Sequence, residues 1–198
     1  MHDAGWLEVI SGPMFSGKTT QLILRVSQAQ AVGLRVQAFK PESDTRDGDQ
    51  ELRSHAGQCI RVVSVGKAAH ILDLVEPETY VVALDEAQFF DAGIVEVCRE
   101  LADRGLHVIA AGLDMDFRRQ PFGPMPELLA MAEVVTKTTA LCSICARPAN
   151  FTQRLVNGEP ASSAGPVVLV GGSDLYTARC RLHYNVADGH ERDKDGKC

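Results

Sequence analysis

Apolar positions along the chain alternate between two spacings. Residues 7–11 form a short apolar run of strand character, after which Leu22, Val26 and Ala29 recur at helical spacing up to a stop at Gly33. Residues 35–40 read as a second strand ended by Pro41. Residues 42–57 carry Asp44, Arg46, Asp47, Gly48, Asp49, Arg53 and His55 without an apolar period, and read as a surface loop, either a solvated linker or an active-site flap. Residues 59–65 alternate like a strand and 67–74 can form a helix. Residues 79–84 form a continuous β-branched run suited to a buried parallel strand. Asp91 then reads as the N-cap of a helix with Ile94, Val97, Cys98 and Leu101 on one face and Gly105 as its stop. A second buried strand at 107–113, a loop at 115–126, a helix at 127–132 and a strand at 134–139 follow.

This alternation predicts an α/β fold: a parallel sheet of the P-loop type, with helices on both faces and ligands at the carboxyl ends of the strands. From residue 141 the character changes. A C-x2-C turn, a hairpin through Asn157-Gly158, a Ser/Gly/Pro stretch at 160–166 and a strand at 167–170 lead to Gly171-Gly172 and Cys180-x2-His183. The expected division is a P-loop α/β domain over 1–140, a small zinc-bound β module over 141–185 and a disordered tail over 186–198.

The strongest local signal is Gly12-Pro13-Met14-Phe15-Ser16-Gly17-Lys18-Thr19, a G-x4-G-K-T between the first strand and the first helix. Glycines at both ends let successive backbone N–H groups turn inward around an anion at the helix N-terminus. Lys18 would reach the β- and γ-phosphates of a nucleoside triphosphate, and the Thr19 hydroxyl would ligate Mg²⁺. Asp85 and Glu86 end the 79–84 strand. Asp85 reads as the partner that holds Mg²⁺, while Glu86, pointing away from its neighbour as successive strand residues do, is free to act as general base. Spacing alone leaves open whether that base deprotonates an acceptor hydroxyl, as in a kinase, or a water, as in an ATPase. Phe89, Phe117 and Phe122 read as exposed aromatics on loops at the same end of the sheet. Together they could wall a flat slot suited to a base.

Composition narrows the choice of ligand. The 198 residues are 45% hydrophobic and 23% charged, with a net charge of −6 and no basic block. Small nucleotides fit better than nucleic-acid polymers, so a nucleotide-regulated module that binds nucleic acid through its hairpin is the weaker alternative. No apolar run approaches the roughly 20 residues that span a bilayer, and a cytoplasmic protein without membrane partners is expected. Of the cysteines, Cys59 and Cys98 sit in apolar runs as small core residues. Cys142, Cys145, Cys180 and His183 form a Cys3His set with the spacing of a structural zinc site, in which Cys198 or His190 could replace His183.

With these residues assembled, the chain resembles the zinc-containing type II thymidine kinases, the family that includes the human cytosolic enzyme. The resemblance runs from Leu7 to about Tyr184. It rests on G-P-M-F-S-G-K-T-T, Lys40-Pro41 with Asp44-Thr45-Arg46, D-E-A-Q-F-F at 85–90, Gly112-Leu113-Asp114, Pro121-Phe122-Gly123, the C-x2-C pair, F-T-Q-R-L at 151–155, and Gly171-Gly172-Ser173 leading to Tyr176. It implies transfer of the γ-phosphoryl group of ATP to the 5′-hydroxyl of thymidine in DNA-precursor salvage, with Glu86 as base and Lys18, Thr19 and Asp85 on phosphate and magnesium. Gln88 is expected beside the phosphates with the rest of its motif, and Asp44 and Arg46 nearby. Met14, Phe89, Phe117, Phe122, Thr152, Val170 and Tyr176 would line the thymidine pocket, the segment around 167–172 being a lasso that bonds the base through backbone groups. A homotetramer and feedback inhibition by thymidine triphosphate are implied as well. His183 stands where many members have cysteine, and the tail after Ala187 matches no family motif.

Overall fold

β1 (Trp6–Ser11) leads into α1 (Lys18–Ala31) and then β2 (Val36–Pro41). An antiparallel pair, β3 (Glu51–Arg53) and β4 (Cys59–Arg61), precedes β5 (Val63–Val65), α2 (His70–Leu74) and β6 (Val81–Leu84). Then come α3 (Ile94–Asp103), β7 (His107–Gly112), α4 (Met125–Met131) and β8 (Val134–Lys137). A ribbon of β9 (Ala140–Leu141) and β10 (Pro148–Ala149) is followed by an antiparallel sheet in which β11 (Phe151–Val156) lies between β12 (Glu159–Pro160) and β13 (Tyr176–Arg179). This computed structural model describes residues 4–42, 51–53, 59–169 and 171–186, with 51–53 and 59 described by their backbone alone. Asp44, Arg46, Val170, His190, Cys198 and all of the expected tail after Val186 lie outside the described residues, as does the side chain of Cys59.

Six strands make one parallel sheet in the order β5-β2-β6-β7-β1-β8. Alternation along its central strands assigns the two faces. Leu7 and Val9, Val82 and Leu84, and Val108 and Ala110 pack under α3 and α4, with Ile94, Cys98, Leu101 and Leu128. Ile10, Val81, Ala83, Ile109 and Ala111 point the other way, against Leu22, Ile23 and Val26 of α1. Cutting one of the fully buried leucines or isoleucines among them to alanine should cost about 2–5 kcal/mol. Glu8 breaks the apolar pattern on the α1 face. It is buried, pairs with Arg25 of α1 and lies 3.5 Å from His107 Nε2, whose ring stacks on Trp6 at 4.1 Å.

Residues 167–169, expected within a strand, lie in none, and the strand expected over 59–65 is split into β4 and β5, which join different sheets. Three further local expectations need correction. β2 does end at Pro41, but Pro41 is itself the last paired residue, opposite Val65, and not the first residue beyond the strand. Phe39 O accepts from Asp85 N on the β6 side and Glu42 N donates to Val65 O on the β5 side, so the N–H that proline lacks would face beyond the end of β6, where the ladder has stopped. Asp91 does not cap α3, whose N-cap is Gly93. Its carboxylate accepts from the N–H groups of Gly93 and Ala68, 2.9 Å each, and ties the preceding turn to the start of the α2 region. The stretch expected as an unbroken loop contains β3, which finds its partner in β4. The hairpin at Asn157-Gly158 forms as expected between β11 and β12, with φ of 53° and 85° as a type I′ turn demands.

Candidate active site

The loop from Gly12 to Gly17 is shaped by backbone that side chains would obstruct. Gly12 has φ of 148°, and a Cβ there would lie 2.4 Å from Thr138 Oγ1 and 2.5 Å from Thr138 O. Gly17, at φ 80°, delivers the chain into α1, and Phe15 takes a left-handed φ of 65° at the exposed crest. Ser16 Oγ donates to Pro13 O at 2.8 Å and meets Thr138 Oγ1 at 2.7 Å, so the loop is braced against the end of β8. Lys18 Nζ folds across the loop to Pro13 O at 2.8 Å. The loop thus presents the N-terminus of α1 and a lysine at one place, an anion site of the P-loop kind.

β7 lies between β1 and β6 in the sheet, so this loop, Gly112-Leu113-Asp114 and Asp85-Glu86 emerge side by side. Thr19 Oγ1 donates to Asp85 Oδ2 at 3.2 Å, joining the first turn of α1 to the end of β6. Asp85 is 4% exposed, and that burial, with the Glu86 charge beside it, pushes its carboxyl up to about 7, against the opposing pull of the Glu86 N–H, Lys18 and Thr19. Glu86 diverges from Asp85 for a different reason from the strand alternation expected of it. It stands in the left-handed region at φ 51°, ψ 41°, and opens a 3₁₀ turn over Ala87–Phe89. Glu86 Oε2 accepts from Gln88 Nε2, and Gln88 Oε1 accepts from Leu113 N at 2.8 Å. Gln88 is itself buried and links the Glu86 carboxylate to the end of β7. Gly123 explains its own place in the sequence: at φ 50°, a Cβ would come within 2.2 Å of Gln88 O, so only glycine lets the loop bearing Phe122 cross here.

Beside this edge is a cavity of about 540 Å³, part of it open to solvent. Met14, Phe89, Phe117, Phe122, Thr152 and Tyr176, all expected as pocket residues, line it. Phe89 and Phe122 meet edge to face at 5.4 Å. Phe117, expected to be exposed, is buried, because Arg154 covers its ring at 3.8 Å. Leu113, Met115 and Asp116 add to the lining, and Val167, Val168, Leu169 and Gly171 supply a wall. Asp114 pairs with Lys137 at 2.9 Å and its carbonyl accepts from Phe122 N, so it organises the loop.

Sequence reasoning missed the weight carried by β11. Thr152, Gln153 and Arg154 are polar yet 5%, 1% and 2% exposed, and each has a distant partner. Thr152 Oγ1 accepts from Met14 N at 3.0 Å, joining this sheet to the phosphate loop. Gln153 Oε1 accepts from Asn185 N at 2.9 Å. Arg154 donates to Pro166 O and to Val167 O. Three consecutive buried polar residues in a strand are the signal that was available, since such groups must find partners on both faces.

Cys142, Cys145, Cys180 and His183 converge, their ligand atoms all within 4.8 Å of one another. Cys145 and Cys180 sulfurs are 3.8 Å apart, and His183 Nδ1 lies 3.4 Å from Cys180 Sγ and 3.7 Å from Cys142 Sγ. Tetrahedral thiolates at 2.3 Å from zinc would stand roughly 3.8 Å apart, so the donor set fits that ion. Burial would raise the Cys142 thiol, but the N–H groups of Cys180, Ile144 and Cys145 and the His183 side chain outweigh it and bring it down to about 5, favouring the thiolate a metal needs. Cys98, buried without such donors, is pushed up to about 12 and is a core residue, as expected.

A family model described as thymidine kinase matches residues 5–184. The chain belongs to the thymidine kinase family. Membership makes it an ATP-dependent kinase that transfers phosphate to thymidine, and decides the choice between kinase and ATPase that spacing left open. The match takes in the phosphate loop, the cavity and the Cys3His cluster, consistent with a thymidine kinase of type II. No helix among the described residues is long and apolar enough to cross a membrane.

Proposed function

We propose that Glu86 is the general base of thymidine phosphorylation, that Lys18 and the backbone of 12–17 hold the phosphates of ATP, and that the cavity lined by Met14, Phe89, Phe117, Phe122, Thr152 and Tyr176 holds thymidine. The observation that carries the reading is the position of Glu86 between the two halves of the site. Its N–H donates to Asp85 Oδ1 at 2.9 Å on the phosphate side, and its carboxylate is tied through Gln88 to Leu113, a cavity residue. A carboxylate so placed accepts the proton of a 5′-hydroxyl as that oxygen attacks the γ-phosphorus, and the leaving group is ADP. Met14 belongs to both halves, lining the cavity from within the phosphate loop, which keeps donor and acceptor in register.

Mg²⁺, when bound, neutralises the phosphates, and Thr19 and Asp85 are the residues we assign to hold it. Zinc, when bound by Cys142, Cys145, Cys180 and His183, closes the segment between its two ligand pairs into a loop with a fixed base. On this reading residues 1–140 bind ATP and 141–185 form the zinc-tied lasso module, with Val170 and the backbone around it on the base. Salvage of DNA precursors in the cytoplasm by a homotetramer, restrained by thymidine triphosphate, completes the proposal. Incubation with ATP, Mg²⁺ and each nucleoside in turn tests it. Thymidine should give ADP and thymidine 5′-monophosphate in equal amounts, whereas ADP released at the same rate without any nucleoside would refute it.

A further inference from the structure

Arg154 is a buried cation with no carboxylate within ion-pair distance among the described residues. Burying a charge is costly unless it is paired or well bonded, so what surrounds this one defines its purpose. Its Nη1 donates to Pro166 O, and its Nη2 donates to Val167 O at 2.6 Å and to the Tyr176 hydroxyl oxygen at 2.8 Å. That hydroxyl passes its own proton to Leu169 O at 2.8 Å. The face of the guanidinium lies on the Phe117 ring. Its Nε–H is buried without a partner among the described residues, so the guanidinium is placed where the main chain of 166–169 needs donors and not where its own bonding would be complete.

Val167 and Leu169, whose carbonyls are held in this way, also wall the cavity, as do Phe117 and Tyr176. We propose that Arg154 is a positioning residue for the nucleoside. It fixes the main chain of 166–169 from behind, directly and through the Tyr176 hydroxyl, and so sets thymidine affinity without touching thymidine. The inference rests on the cavity being the thymidine site. A planar fork can serve two carbonyls and a hydroxyl at once, which the single ammonium of lysine cannot, so the site demands arginine specifically.

Arg154→Met, Arg154→Lys and Tyr176→Phe are to be compared with the unmodified chain in steady-state kinetics, varying thymidine and ATP separately. Preorganisation lost from one substrate's wall raises that substrate's KM, so KM for thymidine should rise about tenfold or more in Arg154→Met and less in Arg154→Lys, while KM for ATP stays within about twofold. A general loss of structure would move both. Thymidine KM left unchanged, or both KM values rising together, overturns the inference. If Arg154→Met does not fold, Arg154→Lys and Tyr176→Phe must show the same split. Failure of the unmodified chain to phosphorylate thymidine would remove the reading of the site itself. A working enzyme whose variants keep their thymidine KM would remove only the role of Arg154.

Discussion

Gln88→Met removes both polar ends of the residue that ties Glu86 to β7 while nearly preserving its volume. Two losses follow, and they fall on different observables. The Gln88 Nε2 bond to Glu86 is a hydrogen bond to a charged group, worth about 1.5–3 kcal/mol, and it acts on where the carboxylate stands. Leu113 N, which donates to Gln88 Oε1 at 2.8 Å in a buried setting, would be left unsatisfied at about 1–3 kcal/mol, and that acts on the fold. If the first loss is felt in the transition state, at about 1.4 kcal/mol per tenfold, kcat should drop about 10- to 100-fold. The second should lower Tm by roughly 2–4 °C per kcal/mol for a chain of this size. KM for ATP should stay put, because the phosphate loop is braced through Thr138 and Thr152 and not through Gln88. Gln88→Glu separates the two losses: it keeps an acceptor for Leu113 N, and so most of the Tm, but sets a like charge beside Glu86 and keeps the kcat defect. Steady-state kinetics and thermal melts on the two variants suffice. A Gln88→Met enzyme with unchanged kcat and a lowered Tm would show that Gln88 merely fills the floor and that the base does not depend on it.

His107 and the cysteine cluster give two more expectations. Burial holds the His107 imidazole below its ordinary range, against the raising influence of Glu8 and together with the lowering influence of Arg25. The unfolded chain therefore takes up a proton at about 6.5 that the folded chain resists, and this contribution to stability, full above that pH, is lost as the pH falls towards the lower folded value. Asp85 works the other way, its raised pKa stabilising the fold as pH falls from about 7. The measurement is thus the difference in urea midpoints between the unmodified chain and His107→Asn at pH 7.5 and 5.5. The unmodified chain should lose more on acidification, and equal losses would refute the buried neutral imidazole. Cys145→Ser should lower bound zinc well below one per chain and expose the segment between the ligand pairs to proteolysis. Full zinc content in that variant would refute the Cys3His site.

The parallel sheet, the phosphate loop and the Cys3His cluster were legible because each is a local pattern. Short continuous apolar runs separate helices of period 3.6, glycines stand at fixed offsets, and thiols come in x2-spaced pairs. The departures lie where distant partners decide. Glu86 reads as the next residue of a strand, yet its direction comes from a left-handed turn stabilised across the sheet end by Gln88 and Leu113. Gln153 and Arg154 enter the sequence reading only as letters of the F-T-Q-R-L motif, with no role assigned to either. Their partners, Pro166, Val167 and Asn185, lie 12 or more residues away, and no periodicity announces them. Pro41 is accepted as the last residue of β2 because β6 ends sooner and leaves its missing donor unneeded, which depends on register and not on the residue.

In the proposed mechanism Glu86 removes a proton and does not merely help to hold ATP. Glu86→Gln keeps the shape and the acceptor that faces Gln88 but removes the basic oxygen. Turnover of thymidine measured beside ATP affinity in that one variant should fall by about 10²–10⁴ while ATP binds as before. Turnover near that of the unmodified enzyme, or ATP binding lost in step with activity, would contradict it.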